Sequence, residues 1–455
     1  MVWKVSIASA YTLNTYLQLY CKHLYMKFSF NKHMERYNPW WINETDVIYR
    51  TWQTSKLKWI PDIINKIKLK PFSLHFLSGP RQVGKTTAIK ILIHQLLEKK
   101  DPKSIFYYSC DELTDHRELG EVLDSYLSVR KSWDIKKSII FLDEITFVSD
   151  WWRAVKSRID SGTLKSDVLV LTGSATIDLL KHKELFPGRR GFGLDHVLYP
   201  LDFSSYVSLL GGLNIKSGGI STLEKNSSAN KIYSESLKEL FNQYMITGGF
   251  PRSILDFHKY KKVSLETTKT YLDWLRGDWS KAGKSDKYMK EILSYLIRAV
   301  GTPISWHGIS TETSVNSPNT VRSYLETLEG IHSLLILNLI TPTGKVEHKK
   351  NKKVHFTDPF IFRVMEHYLN VDVSLDWLFE ASVAAHLARA HPVFYWRGSG
   401  GRQLEVDVVC KYKDLQIGFE VSRGVKRWKA PWHIKKGYLL DRDSLPLYLS
   451  ALKTV

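Results

Sequence analysis

The chain has 455 residues, 43% of them hydrophobic and 24% charged, and a formal net charge of +19. That length suits two to four domains rather than one core, and no apolar run is long enough to cross a bilayer, so no membrane span is expected. Cys21, Cys110 and Cys410 stand too far apart for a disulfide framework or a C-x-x-C metal pair; a cytoplasmic protein is expected, and its charge favours an anionic partner, nucleic acid first.

Residues 1–42 read as an N-terminal extension. Positions 5–21 carry no charge but are interrupted by Ser, Thr, Asn and Gln, which makes a poor signal peptide, and Met26 or Met34 stand as alternative starts. Residues 43–205 are expected to form a P-loop ATPase core. An apolar run at 72–78 leads into Gly79-Pro80-Arg81-Gln82-Val83-Gly84-Lys85-Thr86-Thr87, which fits G-x-x-x-x-G-K-[ST]. Gly79 and Gly84 allow the close backbone approach of a loop folded round a phosphate, and its N–H groups then point inward. The loop opens a helix expected over 86–98, whose N-terminal amides add to the anion site. Lys85 is expected at the β and γ phosphates, and the Thr86 hydroxyl on Mg2+.

An apolar strand at 105–110 and a helical stretch at 119–130 follow. Then comes Ile139-Ile140-Phe141-Leu142-Asp143-Glu144. Asp143 is expected to hold the Mg2+ shell and Glu144 to orient or deprotonate the attacking water; the bland alternative is a buried strand ending in two solvated acids. A helix begins at Asp150-Trp151-Trp152, and 168–174 is a strand with Thr172 and Ser174 at its tip. Ligands of wound parallel sheets sit at the carboxyl ends of the strands, so Ser174 reads as a γ-phosphate sensor, or else as a helix N-cap. Arg189 and Arg190, between Gly188 and Gly191, read as an arginine finger, in cis or across an interface in a homo-oligomer, or as a basic turn. The alternation of apolar runs with helical patterns predicts an α/β fold with a parallel sheet.

Residues 206–290 are expected to form a helical lid over the nucleotide, with a surface loop at 211–230 and a break at Gly248-Gly249-Phe250-Pro251. Residues 291–356 have the pattern of a winged helix-turn-helix. Ser317-Pro318-Asn319 starts a helix with Val321, Tyr324, Leu325 and Leu328 at helical spacing. Lys345, Lys349, Lys350, Lys352 and Lys353 fall where a wing belongs. Arg322, Lys349, Lys350, Lys352 and Lys353 are therefore the expected DNA contacts, the alternative being a solvated hairpin on a spacer domain.

With these motifs in hand the chain, over residues 37–455, resembles a family of AAA+-related ATPases spread over archaea and bacteria, whose C-terminal domain of unknown function is similar to the PD-(D/E)xK nuclease fold. The resemblance rests on Asn38-Pro39-Trp40-Trp41, the loop at 79–87, Leu142-Asp143-Glu144-Ile145, Thr172-Gly173-Ser174, Gly188-Arg189-Arg190, Pro200-Leu201-Asp202-Phe203, Gly248-Gly249-Phe250-Pro251, Thr357-Asp358-Pro359, Glu380, Tyr395-Trp396-Arg397 and Val406-Asp407. It implies ATP rather than GTP as the nucleotide, hydrolysis by the first half and DNA association by the second. It also implies a small α/β restriction-endonuclease-like domain over 357–455.

In the nuclease pattern a helical Glu, a strand Asp and a Glu-x-Lys gather round Mg2+, which places Glu380, Asp407 and Glu420 at a second metal site. The lysine is missing, because Glu420-Val421-Ser422 puts a hydroxyl in its position. Arg423 points to the opposite face of the strand, and Lys426 is a substitute from a loop. The expected function is a Mg2+-dependent ATPase coupled to a DNA-binding half. The alternatives are an ATP-gated metal-dependent nuclease and a slow nucleotide switch with a protein partner.

Overall fold

The structure is a computed structural model that describes residues 34–173, 185–373, 377–398, 404–422, 424 and 427–453. Most of the expected extension, Ser174, Arg423 and Lys426 lie outside the described residues. The chain enters through a turn at Pro39–Ile42 and helix α1 (Val47–Thr54).

Strands β1 (Ser73–Ser78), β2 (Ile105–Ser109), β3 (Ile139–Asp143), β4 (Val168–Thr172) and β5 (Asp195–Val197) form one parallel sheet in the order β2-β3-β4-β1-β5. Every residue of β1, β3 and β4 is buried, as strands covered on both faces require. Helix α2 (Lys85–Leu97) packs its Ala88, Ile89 and Leu92 on one face, while α3 (His116–Ser132) and α4 (Trp151–Asp160) close the other with Leu123, Tyr126 and Trp151.

The edge of β2 is covered by the tryptophan motif. The Asn38 side chain donates to Tyr107 O at 2.9 Å and accepts from Tyr107 N–H at 2.7 Å, imitating a ladder pair. Trp40 and Trp41 both donate their indole N–H to Ile105 O at 3.1 Å. An open edge is thereby closed to other strands.

Five α-helices of the described residues follow where the lid is expected: α5 (Phe203–Tyr206), α6 (Leu223–Ala229), α7 (Ser234–Thr247), α8 (Pro251–Tyr260) and α9 (Leu265–Lys281). The surface loop expected at 211–230 is corrected here, since its second half is helical. Ile220 and Leu223 are buried, and Asn230 binds both Lys216 N–H and Lys216 O, at 2.7 and 3.0 Å, and Ser450 Oγ at 3.1 Å. Two buried apolar side chains and one clamped amide are enough to order a stretch whose composition reads as loop.

Helices α10 (Asp286–Arg298), α11 (Trp306–Glu312) and α12 (Pro318–Gly330) then lead into a hairpin of β6 (Leu334–Ile340) and β7 (Val346–Phe356). After α13 (Pro359–Leu369) and α14 (Trp377–Ala388) come β8 (Val393–Arg397), β9 (Glu405–Tyr412), β10 (Leu415–Val421), β11 (Lys436–Leu440) and a last helix, α15 (Leu445–Ala451). These strands make a second sheet in the order β11-β10-β9-β8-β6-β7. The hairpin expected to be a free wing is thus part of the same sheet as the strands beyond residue 357. Its tip is fastened as well: Gln416 donates to Thr341 O and Pro342 O, both at 3.1 Å.

The two halves meet at Gly248 and Gly249. Leu201 N–H donates to Gly249 O, and Gly249 N–H donates to the Asp358 carboxylate, both at 2.9 Å. A Cβ at Gly249 would lie 2.1 Å from Leu201 O, and one at Gly248 would lie 1.8 Å from Asp358 Oδ1. Close by, His386 of α14 accepts from Phe203 N–H through Nε2 at 2.9 Å, and its Nδ1 meets Ser382 O at 2.7 Å. One ring nitrogen accepts and the other donates, so the imidazole is neutral. Burial and the nearby Arg389 guanidinium pull its pKa down to about 4.

A histidine whose folded pKa is depressed contributes stability at neutral pH that is lost as pH falls from about 6.5 towards 4. For His386 the loss is on the order of 3 kcal/mol. His386→Gln is therefore expected to flatten the fall of melting temperature across that window relative to the unaltered chain, measured by scanning fluorimetry in a buffer series.

Candidate functional site

The phosphate loop stands where the sequence places it, between β1 and α2. Gly79 adopts φ +145°, and a Cβ there would come 2.3 Å from Leu198 O. Lys85 is buried, donating to Gly79 O at 2.9 Å and Pro80 O at 3.1 Å across the mouth of the loop. Burial pulls its pKa below the ordinary lysine value, opposed by Glu144 and Asp143.

Strand β4 lies between β1 and β3, which brings Thr172 to the acid. Asp143 Oδ2 accepts from Thr86 Oγ1 at 2.6 Å and from the Tyr107 hydroxyl at 2.9 Å. Oδ1 accepts from the Thr172 hydroxyl and from Glu144 N–H at 3.2 Å. A carboxylate only 1% exposed is affordable because these donors replace its water. Glu144 itself adopts φ +53°, a left-handed conformation that costs a residue with a Cβ about 1 kcal/mol or more and recurs at functional turns. A hydroxyl and a carboxylate in contact are the hard oxygen pair that Mg2+ takes.

One ion pair and one electrostatic influence join other elements to the loop. Arg81 pairs with Asp278 of α9 at 2.7 Å. His332, just after α12, is pulled down to about 4 by burial and by the Lys85 ammonium. A second feature has no signature in the sequence. An apolar cleft of about 280 Å3 opens beside Gly84 and Thr87, walled by Trp52, Trp59, Ile91 and, from α8, Pro251 and Leu255. Its walls come from four separate stretches, none with a recognisable pattern.

Arg189 and Arg190 are not brought to this site. The Arg190 carbonyl accepts from Leu74 N–H near the start of β1, the end of the strand away from the loop. Arg189 is held by Asp160 at 2.5 Å and Arg190 by Asp195 at 2.6 Å. A finger acting on the phosphates of the same chain is therefore corrected by position.

The expected DNA contacts divide into two pairs of lysines and one arginine. The β6–β7 register jumps between Asn338 and Leu339, so residues 348–351 bulge out of β7. Lys349 and Lys350 are exposed on this bulge, and with Asn319, Arg322, His307 and His348 they line a cleft of about 580 Å3 against α12. Lys352 is instead 7% exposed, its ammonium donating to His348 O at 2.8 Å and to Lys350 O, which closes the bulge. Lys353 points to the other face and is fully buried. Its ammonium lies 2.9 Å from Glu380, 2.6 Å from Glu405 and 2.8 Å from Asp407. Neither Lys352 nor Lys353 is a surface cation for a phosphate, which corrects that expectation.

The structure does bring Glu380, Asp407 and Glu420 together, with Lys353 among them. Burial would strip the proton from Lys353, but Glu380, Asp407 and Glu405 more than reverse this and raise its pKa above the ordinary value. Burial and the Asp407 carboxylate push Glu420 up to about 8. The Lys353 ammonium stands among the carboxylates where the second metal expected at Glu380, Asp407 and Glu420 would sit, and among the described residues no group of His, Cys, Asp or Glu has the arrangement of a metal site. Glu405, one strand position before Val406, is the member that motif reading missed.

Residues 72–207 match the AAA domain family, and residues 238–373 match a domain of unknown function, DUF8612. The second match runs through the lid helices, the hairpin and α13, across the divisions expected at 290 and 356. The chain is similar to an uncharacterized protein of Methanocaldococcus jannaschii, MJ1637, with 25% identity over 404 residues, spanning 84% of this chain and 79% of the relative. Among solved structures it is similar to the Walker-type ATPase PABY2304 of Pyrococcus abyssi, at 14% identity and a TM-score of 0.39, covering 64% of this chain and 91% of that one. It is also similar to the ORC2 protein of Aeropyrum pernix, at 10% identity and a TM-score of 0.37, covering 69% and 96%. The AAA match and the parallel sheet with its loop make residues 72–207 an AAA-type P-loop ATPase fold.

Gly79→Ala is expected to destroy nucleotide binding without touching any group that contacts phosphate by its side chain, because the added methyl collides with Leu198 O. The thermal shift of the folded variant on adding Mg2+-ATP measures this; a shift equal to the unaltered chain's would mean the loop does not hold the phosphates.

Proposed function

We propose that the chain is a Mg2+-dependent ATPase whose nucleotide state is transmitted to a C-terminal half that binds DNA. The observation that carries the first part is the contact of Thr86 with Asp143 beside a loop whose lysine is held at its mouth. Lys85 exchanges two carbonyl partners for phosphate oxygens, which are better acceptors for a cation. Thr86 and Asp143 would hold Mg2+, which when bound neutralises charge developing on the phosphates. Glu144 orients the attacking water, and the Tyr107 hydroxyl keeps the Asp143 carboxylate in one orientation. The apolar cleft between α1 and α8 receives the base, and Arg81 reports the state of the loop to α9 through Asp278. Arg189 and Arg190 are finger candidates only across an interface between copies of the chain.

For the second part, the support is the cleft between α12 and the bulge of β7, where Lys349, Lys350 and Arg322 stand beside Asn319. Arg322 is paired with Glu326 at 2.7 Å, an exposed pair that costs little to break.

Lys85→Ala is expected to abolish binding of Mg2+-ATP in calorimetry, and Glu144→Gln to keep binding while phosphate release falls by about 100-fold or more. Unchanged turnover in Glu144→Gln would remove that residue from the mechanism. Lys349→Ala with Lys350→Ala is expected to weaken duplex DNA binding and to lower the slope of log affinity against log salt by about 2, as two lost phosphate contacts require. Anisotropy titrations at several salt concentrations read this, and an unaltered slope would place the DNA elsewhere.

A further inference from the structure

The surroundings of Lys353 decide what the C-terminal sheet can do. Three elements contribute to its pocket: Glu380 from α14, and Glu405 and Asp407 from β9, facing Lys353 on β7. An ammonium has three hydrogens and no other polar capacity, and three carboxylates stand within 2.9 Å of this one. Two of its hydrogens go to Glu380 and Asp407, and the Glu405 carboxylate pairs with it at 2.6 Å. The side chain is 0% exposed, so solvent cannot share it. His355, on the same face of β7, lies 3.3 Å from Glu380 and closes that side. The oxygens that a divalent ion would need therefore already surround a cation supplied by the chain.

We propose that the ammonium of Lys353 takes the place of a divalent metal in this carboxylate cage, making the C-terminal half a metal-independent scaffold that does not cut nucleic acid. The lysine absent after Glu420 is not replaced in its catalytic role; Lys353 is a positioning residue. What it positions is the neighbouring bulge. With Lys353 anchored inward and Lys352 bonded to His348 O and Lys350 O, the bulge at 348–351 is tied at its base, and Lys349 and Lys350 line the cleft with α12. The inference does not require the ATPase reading, and it stands if the DNA reading fails.

Two measurements on the full-length, nucleotide-free protein test it. The first counts bound Mn2+ by electron paramagnetic resonance in the unaltered chain and in Asp407→Asn. Equal counts are expected, because any weak binding at the phosphate loop is common to both. A site present in the unaltered chain and lost in Asp407→Asn would overturn the proposal, as would plasmid cleavage in Mg2+ or Mn2+ abolished by the same substitution. The second compares melting temperatures of the unaltered chain and Lys353→Met in chelator and in Mn2+. Lys353→Met is expected to melt lower in chelator, or to be insoluble there, and to be restored by Mn2+, while the unaltered chain does not respond. A Lys353→Met protein as stable as the unaltered chain in chelator would show that the cage needs no cation, and would equally overturn it.

Discussion

Both backbone groups of a single residue bridge the two halves of the molecule. Gly249 gives its carbonyl to Leu201, which follows the last strand of the ATPase sheet, and its N–H to Asp358, which caps α13 of the C-terminal half. Gly249 thus touches the segments on both sides of its own helical stretch, at a point with no room for a side chain. Around this point lie Asp202, His386 and Arg389, the last donating to Pro200 O at 2.8 Å. Three of the short motifs that give the chain its family resemblance meet here, those at 200–203, 248–251 and 357–359, and they act as joints, while those at 79–87, 142–145 and 172–173 stand at the phosphate loop.

Sequence reading succeeded where the determinants are local. The phosphate loop, α2, the strand ending at Asp143 and the four strands before residue 173 all lie where spacing and apolar runs place them, because a loop and the helix it opens are specified by adjacent residues. It failed where partners come from far along the chain. Lys352 and Lys353 sit in a run that reads as a solvated basic hairpin, and nothing within that run announces that Glu380, Glu405 and Asp407 will fold over it. The apolar cleft beside Gly84 was illegible for the same reason, with walls spread from residue 47 to residue 255. In 211–230 the apolar residues are few, but Ile220 and Leu223 are buried all the same.

Not every cation behind the net charge of +19 is at the surface. Lys85, Lys90, Lys352, Lys353 and Arg130 are all buried, each in contact with carbonyls or carboxylates. Lys90, for instance, pairs with Asp46 at 3.0 Å and lies 3.2 Å from the centre of the Tyr107 ring, which steadies the residue that steadies Asp143. Internal cations of this kind organise acids, and a charge count cannot distinguish them from cations that await a ligand.

The tryptophan cover over β2 carries a practical lesson for anyone who trims this protein. A fragment begun just before the phosphate loop would keep the loop, Asp143 and Glu144 and yet bare the outermost strand of the sheet, with Ile105 O and both backbone groups of Tyr107 stripped of their partners. Such an edge is a template for pairing with a second copy, and a preparation lost to aggregation on that account would say nothing about the intact protein.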